Sequence, residues 1–211
     1  MPVKRVTAIV LMGLLASACM SFSTLGRARV VEVGRVQIYG APEALVVATD
    51  SGASIRPIAE VGVRVGVTPE LELGARVTTL GLTLGARTQL HRSPDPRSGV
   101  DVLLAPALAY TVQDKLALEA PVLIGINLGD HQLVVAPRVT YQMRLAVPGQ
   151  AAPASYLYLG VSVGLVIRLD DHVALMPEIA ALGQVYADPG YASSLSSALG
   201  LQGSIGLLVD P

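Results

Sequence analysis

The chain has 211 residues and a formal net charge of −1, with 52% hydrophobic and only 15% charged residues. An ordinary soluble domain carries about 25% charged residues, and nucleic acid as a partner would require a basic surface. The mean hydropathy is +0.56, yet beyond the N-terminus no apolar run reaches the roughly 20 residues of a transmembrane helix. The composition therefore argues against a soluble domain, a nucleic-acid partner and a helical membrane protein, and it favours a transmembrane β-barrel.

The N-terminus has the organisation of a secretory signal peptide. Lys4 and Arg5 form a positive region, Val6 to Leu15 form an apolar stretch too short to span a bilayer, and small residues follow up to Ala18. We expect a signal peptide over residues 1–18, a lipidated N-terminus and linker over 19–33, and a β-barrel domain over 34–211.

Residues 15–19 (Leu-Ala-Ser-Ala-Cys) resemble a bacterial lipobox. The resemblance implies that Cys19, the single cysteine, becomes the lipidated first residue of the mature chain. Because no aspartate follows Cys19, it also implies delivery to the outer membrane. Ala16 departs from the usual leucine, so ordinary cleavage after Ala18 stays open as the alternative.

From about residue 34 onward, apolar residues alternate with polar or small ones. In Glu60 to Val67, for example, every second residue is valine. Side chains of a strand point alternately to opposite faces, so this period of two predicts β-strands. We predict about ten strands, with eight as a lower alternative, over residues 35–49, 60–67, 70–78, 82–91, 100–111, 115–128, 132–145, 156–169, 173–186 and 196–209.

Turn-forming residues separate these segments, as at Thr68-Pro69, Gly129-Asp130 and Asp170-Asp171. Strands joined in order by short turns predict an all-β, up-and-down antiparallel barrel. The apolar face is almost purely aliphatic and the other face is rich in glycine, so we expect the apolar face outside, against lipid. The alternative is a soluble, lipocalin-like, periplasmic lipid-binding barrel tethered through Cys19, with its apolar face inside.

Acidic and basic residues nearly balance on the polar face, and charges enclosed in a narrow barrel must pair. We therefore predict a lumen largely plugged by paired charges, with a narrow polar pathway for a small solute or an ion as the second interpretation. The expected lumen-lining residues are Glu60, Arg64, Glu70, Glu72, Arg76, Arg87, Asp101, Lys115, Glu119, Arg138, Arg144, Arg168 and Glu178.

The three histidines, His91, His131 and His172, lie at predicted strand ends, and none has a second ligand at metal-binding spacing. Asp130-His131 and Asp171-His172 resemble the Asp-His pairs of outer-membrane proteases, but the further acidic residues that those enzymes carry on long loops are missing. We expect no enzyme activity, no cofactor and no metal.

Residues 65–76 (Val-Gly-Val-Thr-Pro-Glu-Leu-Glu-Leu-Gly-Ala-Arg) form a strand, a tight turn and a strand, and residues 120–129 extend this pattern. Residues 58–145 resemble small bacterial outer-membrane β-barrel proteins of OmpA-like or OmpW-like architecture. The resemblance implies a membrane barrel in the cell envelope, with lipid as its partner, and transfers no functional residue. We expect a structural or narrow-pore role.

Overall fold

The computed structural model describes residues 21–49, 52–112, 114–146, 153–188 and 199–210. The predicted all-β fold is confirmed, because all named elements are strands of one antiparallel sheet. Strand β1 pairs with β11, so the sheet closes into a barrel. The strands are β1 (Val36–Thr49), β2 (Gly52–Thr68), β3 (Leu71–Thr78), β4 (Gly81–His91), β5 (Val100–Leu104), β6 (Ala107–Thr111), β7 (Lys115–Leu128), β8 (His131–Arg144), β9 (Ala154–Arg168), β10 (Val173–Ala187) and β11 (Leu199–Val209).

Strands β5 and β6 are the two halves of one predicted strand, divided at Pro106. Proline has no N–H and cannot donate to the ladder. The pairing nevertheless continues past it, because the Ala105 N–H donates to the Pro121 carbonyl and the Ala86 N–H donates to the Pro106 carbonyl, each at 3.0 Å. The barrel wall is therefore ten strands around, which confirms the preferred strand number.

The barrel has two openings with different connections. The near mouth holds the start of β1, the end of β11 and the β2–β3, β4–β5, β7–β8 and β9–β10 connections. Three of these are tight turns, and the β7–β8 turn uses Gly129 at a φ of 68°. The far mouth holds the other connections, including the two longest, which join β8 to β9 and β10 to β11.

The predicted orientation of the two faces is confirmed. Outward side chains are aliphatic and exposed, as for Val61 (62%) and Leu73 (50%). Inward side chains between them are polar and enclosed, as for Glu60 (2%) and Glu72 (0%). The lipocalin-like alternative is wrong, because its apolar face would have to line the lumen.

Tyrosines mark one end of the outer surface. Tyr110, Tyr141 and Tyr186 are exposed at the far mouth, where their hydroxyls donate to Asp114, to Ser155 at the start of β9 and to Asp188. In contrast, Tyr39 and Tyr156 are buried inside the barrel. Among the described residues, no helix has the length and apolar character needed to cross a bilayer.

Candidate functional site: the occupied lumen

The lumen contains a piece of the same chain. Residues Ser21 to Val31, here called the N-terminal segment, lie inside the barrel, and Leu25, Ala28 and Val30 are at most 5% exposed. These residues belong to the predicted linker, and sequence reasoning gave them no place in the lumen. The segment leaves at the near mouth, where Val33 forms a parallel bridge with Gly66 and the chain turns into β1.

Strands β2, β3 and β4, here called the donor wall, bind alternate carbonyl groups of the N-terminal segment. One arginine guanidinium comes from each strand, and each donates to a main-chain oxygen. The pairs are Arg76 with Ser23 (2.8 Å), Arg64 with Leu25, and Arg87 with Arg27.

Strands β8 to β11, here called the acceptor wall, bind the intervening N–H groups. Four inward side chains supply three oxygen acceptors and one sulfur acceptor. The N–H groups donate from Phe22 to Gln202 (2.7 Å), from Thr24 to Glu178 (2.9 Å), from Gly26 to the Met176 sulfur (3.0 Å) and from Ala28 to Gln132 (2.8 Å).

This arrangement follows from the extended form of the N-terminal segment. Peptide groups of an extended chain point alternately to opposite sides, and buried main-chain groups must be hydrogen-bonded. No sheet strand pairs with residues 21–31, so side chains of the wall take the place of a ladder. The wall therefore binds the main chain of the segment on both sides from Phe22 to Ala28.

Glycines of the wall make room for the N-terminal segment. A Cβ on Gly200 would lie 2.8 Å from the Phe22 ring, and a Cβ on Gly206 would lie 2.5 Å from the Leu25 side chain. At Gly66 the added atom would overlap the main chain of Val31. The glycine-rich inward face predicted from the sequence is thus shaped to this occupant.

Ion pairs fix the arginines of the donor wall. Glu72, fully buried, accepts from Arg87 at 2.7 Å and lies 3.7 Å from Arg64. It also accepts the Val31 N–H at 2.6 Å. One carboxylate thus orients two of the three arginines and directly binds the end of the segment.

Arg76 links the two remaining acids of this region. Its guanidinium lies 3.3 Å from Glu60 and 3.1 Å from Glu119. Both carboxylates are nearly inaccessible to solvent, so the three groups form a buried chain of alternating charge. Buried charges of this kind are stable only when each has a partner.

Asp101 of β5 holds the segment near its exit. It is fully buried and pairs with Arg29 of the N-terminal segment at 3.0 Å. Asn127 and Gln132 also donate to it, at 3.1 and 3.2 Å. The Ser93 N–H donates at 2.8 Å, which ties the β4–β5 loop to the same carboxylate.

The segment adds positive charge to the acidic part of the lumen. Among the described residues, six inward acids of the wall are buried and four arginines are enclosed with them, while Arg56, Lys115 and Arg144 are half-buried nearer the far mouth. The acids are Glu43, Glu60, Glu72, Asp101, Glu119 and Glu178, and the arginines are Arg64, Arg76, Arg87 and Arg138. Arg29 of the segment adds one positive charge, which pairs with Asp101 at 3.0 Å.

The structure places most of the predicted lumen-lining residues inside the barrel. Lys115 and Arg144 are half-buried opposite each other at the far mouth, and Arg168 is half-buried at the near mouth. The enclosed residues are Glu60, Arg64, Glu72, Arg76, Arg87, Asp101, Glu119, Arg138 and Glu178.

Glu70 is a correction to the predicted set. It has the inward parity of Glu72, but it lies in the β2–β3 turn, just before β3 begins, and is exposed. Its N–H is bound by the Thr68 hydroxyl at 3.3 Å. The predicted lipidation site, Cys19, lies outside the described residues.

Glu43 is a lumen residue that sequence reasoning missed. It is 6% exposed and accepts the Ser21 hydroxyl at 3.1 Å, beside Glu60. Its inward neighbours on β1 include Ala41 and Leu45, so apolar residues occupy both faces of this strand and blur the alternation.

The Asp-His pairs do not form catalytic dyads. His131 accepts the Arg168 N–H through its Nδ1 at 3.3 Å, and the Nδ1 of His172 lies 2.7 Å from the Asp210 carbonyl oxygen. Asp130 and Asp171 instead pair with arginines at the near mouth. In the described part of the chain, no cluster of His, Cys, Asp and Glu is placed to hold a metal ion.

Comparison with known proteins shows the fold and no family. No family model and no curated protein matches the chain. Among solved structures, the outer-membrane protease OmpT from Escherichia coli is similar at a TM-score of 0.50 and 8% identity, covering 87% of this chain and 100% of that one. Neisserial surface protein A is similar at a TM-score of 0.48 and 9% identity, covering 83% and 97%.

Proposed function

We propose that this protein is a bacterial outer-membrane barrel whose lumen is closed by its own N-terminal segment, and that its role is structural. The observation that carries the proposal is the inverted distribution of polarity. The outer surface is aliphatic, whereas the interior holds paired charges and a bound peptide segment. Such a surface is stable against hydrocarbon and costly in water.

The height of the aliphatic surface supports a membrane location. On β9, outward residues run from Leu157 to Ile167, and Leu169 continues the pattern. At about 3.3 Å per residue and a tilt of roughly 40°, this stretch rises about 30 Å. The tyrosines at the far mouth fit one interfacial girdle, and the tight turns of the near mouth support a periplasmic location for that mouth.

A closed lumen is favoured over an open pore. The cavity between the N-terminal segment and the donor wall is about 80 Å³, and a cavity at the near mouth, lined by Arg29 and Asp101 among others, is about 160 Å³. At about 30 Å³ per water, each has room for only a few waters. The narrow polar pathway is the second candidate, and it requires the segment to leave the lumen.

Two further features of the proposal come from the sequence. We propose that Cys19 carries the lipid implied by its lipobox resemblance, which makes membrane lipid the main partner. We also propose that the protein is not an enzyme, because its histidines serve as turn and mouth residues.

Conductance in planar bilayers tests the closed lumen. The refolded wild-type chain should insert, shown by heat-modifiable migration on a gel, and remain silent. The double variant Gly200→Val with Gly206→Val should produce conductance steps, because its methyl groups occupy the space of Phe22 and Leu25. Gly203→Val is the matched control on β11, because a Cβ there meets nothing within 4 Å.

Steady conductance of the wild-type chain, equal to that of the double variant, would contradict the closed lumen. Failure of the wild-type chain to insert would contradict the membrane location. The two failures are distinguishable, because migration on the gel and conductance are measured separately.

A further inference from the structure

The path of the N-terminal segment along the barrel axis is fixed by its partners. At the near mouth, the Gly34 N–H donates to the Gly66 carbonyl at 2.9 Å, just before β1 begins. Further in, Ala28 and Arg29 bind Gln132 and Asp101, which lie close to the near-mouth ends of β8 and β5.

The other end of the segment lies toward the far mouth. Phe22 packs against Ala109 and Ala117, and its N–H binds Gln202, close to the far-mouth end of β11. Ser21 lines a small cavity together with Thr78 and Gly81, which flank the β3–β4 turn at the far mouth. The chain direction from residue 31 back to residue 21 is therefore from the near mouth to the far mouth.

We infer that the barrel threads the N-terminal segment through its lumen so that the chain before Ser21 leaves toward the far mouth, on the side of the membrane opposite the start of β1 and the end of β11. Because the wall binds alternate main-chain groups from Phe22 to Ala28 and the Val30 and Val31 N–H groups beyond them, the threaded path is a built binding site for an extended peptide. The inference rests on the proposed function in one respect only, which is the assignment of the far mouth to the extracellular side of the membrane.

The consequence is a tether on the loop-rich side of the membrane. The predicted acylation site, Cys19, comes two positions before Ser21 in the chain. A lipid on that residue would lie on the far-mouth side of the barrel, and residues added before Ser21 would be displayed on that same side.

A protease-accessibility experiment on the full chain tests this inference. The same protease site on a flexible spacer is inserted in three separate variants: directly before Ser21, within residues 147–152 of the β8–β9 loop, and within residues 93–98 of the β4–β5 loop. Protease is then added to intact cells and to cells with a permeabilised outer membrane.

The inference predicts that the site before Ser21 is cut under the same condition as the site in residues 147–152. Cleavage that instead follows the site in residues 93–98 would overturn it, and so would a site before Ser21 that resists the protease under both conditions. The proposed orientation fails separately if the site in residues 147–152 resists protease on intact cells.

Discussion

The donor wall and the acceptor wall hold the same peptide segment by different means. The donor wall uses three arginines that are themselves fixed by buried carboxylates, among them Glu72. The acceptor wall uses mainly neutral side chains, and at Gly200 and Gly206 it uses the absence of a side chain. An occupied lumen has two requirements: its buried charges must be neutralised, and there must be space for the segment. The donor wall meets the first requirement, and the glycines of the acceptor wall meet the second.

The two walls should therefore fail differently. Loss of one partner from a buried ion pair leaves an uncompensated charge, which costs about 3–5 kcal/mol. Loss of one neutral acceptor leaves a single N–H unsatisfied, which costs about 1–3 kcal/mol. Mutations on the donor wall should affect the stability of the whole barrel, whereas those on the acceptor wall should mainly affect the bound segment.

The largest effect is expected for Glu72→Gln on the donor wall. The change removes the negative charge shared by Arg64 and Arg87 and should lower the free energy of unfolding by about 3–5 kcal/mol. Denaturant unfolding of the refolded protein in lipid measures it. Glu70→Gln is the control, because Glu70 is exposed two residues away, and it should leave stability nearly unchanged. Equal effects at both positions would mean that the buried charge network does not stabilise the barrel.

A smaller effect is expected for Gln202→Leu on the acceptor wall. The Phe22 N–H loses its acceptor at 2.7 Å, so stability should fall by about 1–3 kcal/mol. Amide exchange at Phe22 should accelerate more than exchange in the barrel strands. Leu201→Met is the control, because that side chain faces outward. If exchange at Phe22 stays unchanged in Gln202→Leu, the acceptor wall does not bind the segment.

The smallest effect on stability is expected in the β4–β5 loop, which lies outside both walls. The Ser98 hydroxyl and the Arg97 N–H donate to Asp95 and lower the pKa of its carboxyl from the ordinary value. The stabilisation of the loop is present above the ordinary pKa of about 3.9, and it is lost as pH falls through the lowered one.

Limited proteolysis of residues 93–99 should therefore increase below pH about 4 in the wild-type chain. Asp95→Asn should remove this pH dependence without changing either wall. If proteolysis of the Asp95→Asn variant increases by the same amount below pH about 4, a group other than Asp95 causes the pH dependence.

The sequence predicts the barrel well because strand alternation is a local property. The residues next to Val61 and Glu60 in the sequence are enough to predict that Val61 faces outward and Glu60 faces inward. The structure confirms both predictions. The prediction for Glu70 is wrong because the alternation of β3 extends one residue back into the preceding turn, where the side chain no longer faces the lumen.

The occupied lumen could not be predicted from the same pattern. The N-terminal segment has no alternation of its own, since Thr24, Leu25 and Gly26 differ in character but share one extended path. Its partners lie up to 181 residues away, as for Ser21 and Gln202. Glu43 stays hidden from the pattern as well, because its inward neighbours Ala41 and Leu45 are apolar.

The most direct test of the account is thiol labelling at position 25. A chain beginning at residue 20 lacks Cys19, so Leu25→Cys and Val33→Cys each carry a single thiol in the refolded barrel. Leu25 is 1% exposed in the lumen and Val33 is 56% exposed at the near mouth. A bulky, membrane-impermeant maleimide should label the Val33→Cys variant rapidly and the Leu25→Cys variant far more slowly, and both at the same rate after unfolding. Equal labelling rates in the folded protein would contradict the placement of the N-terminal segment inside the barrel.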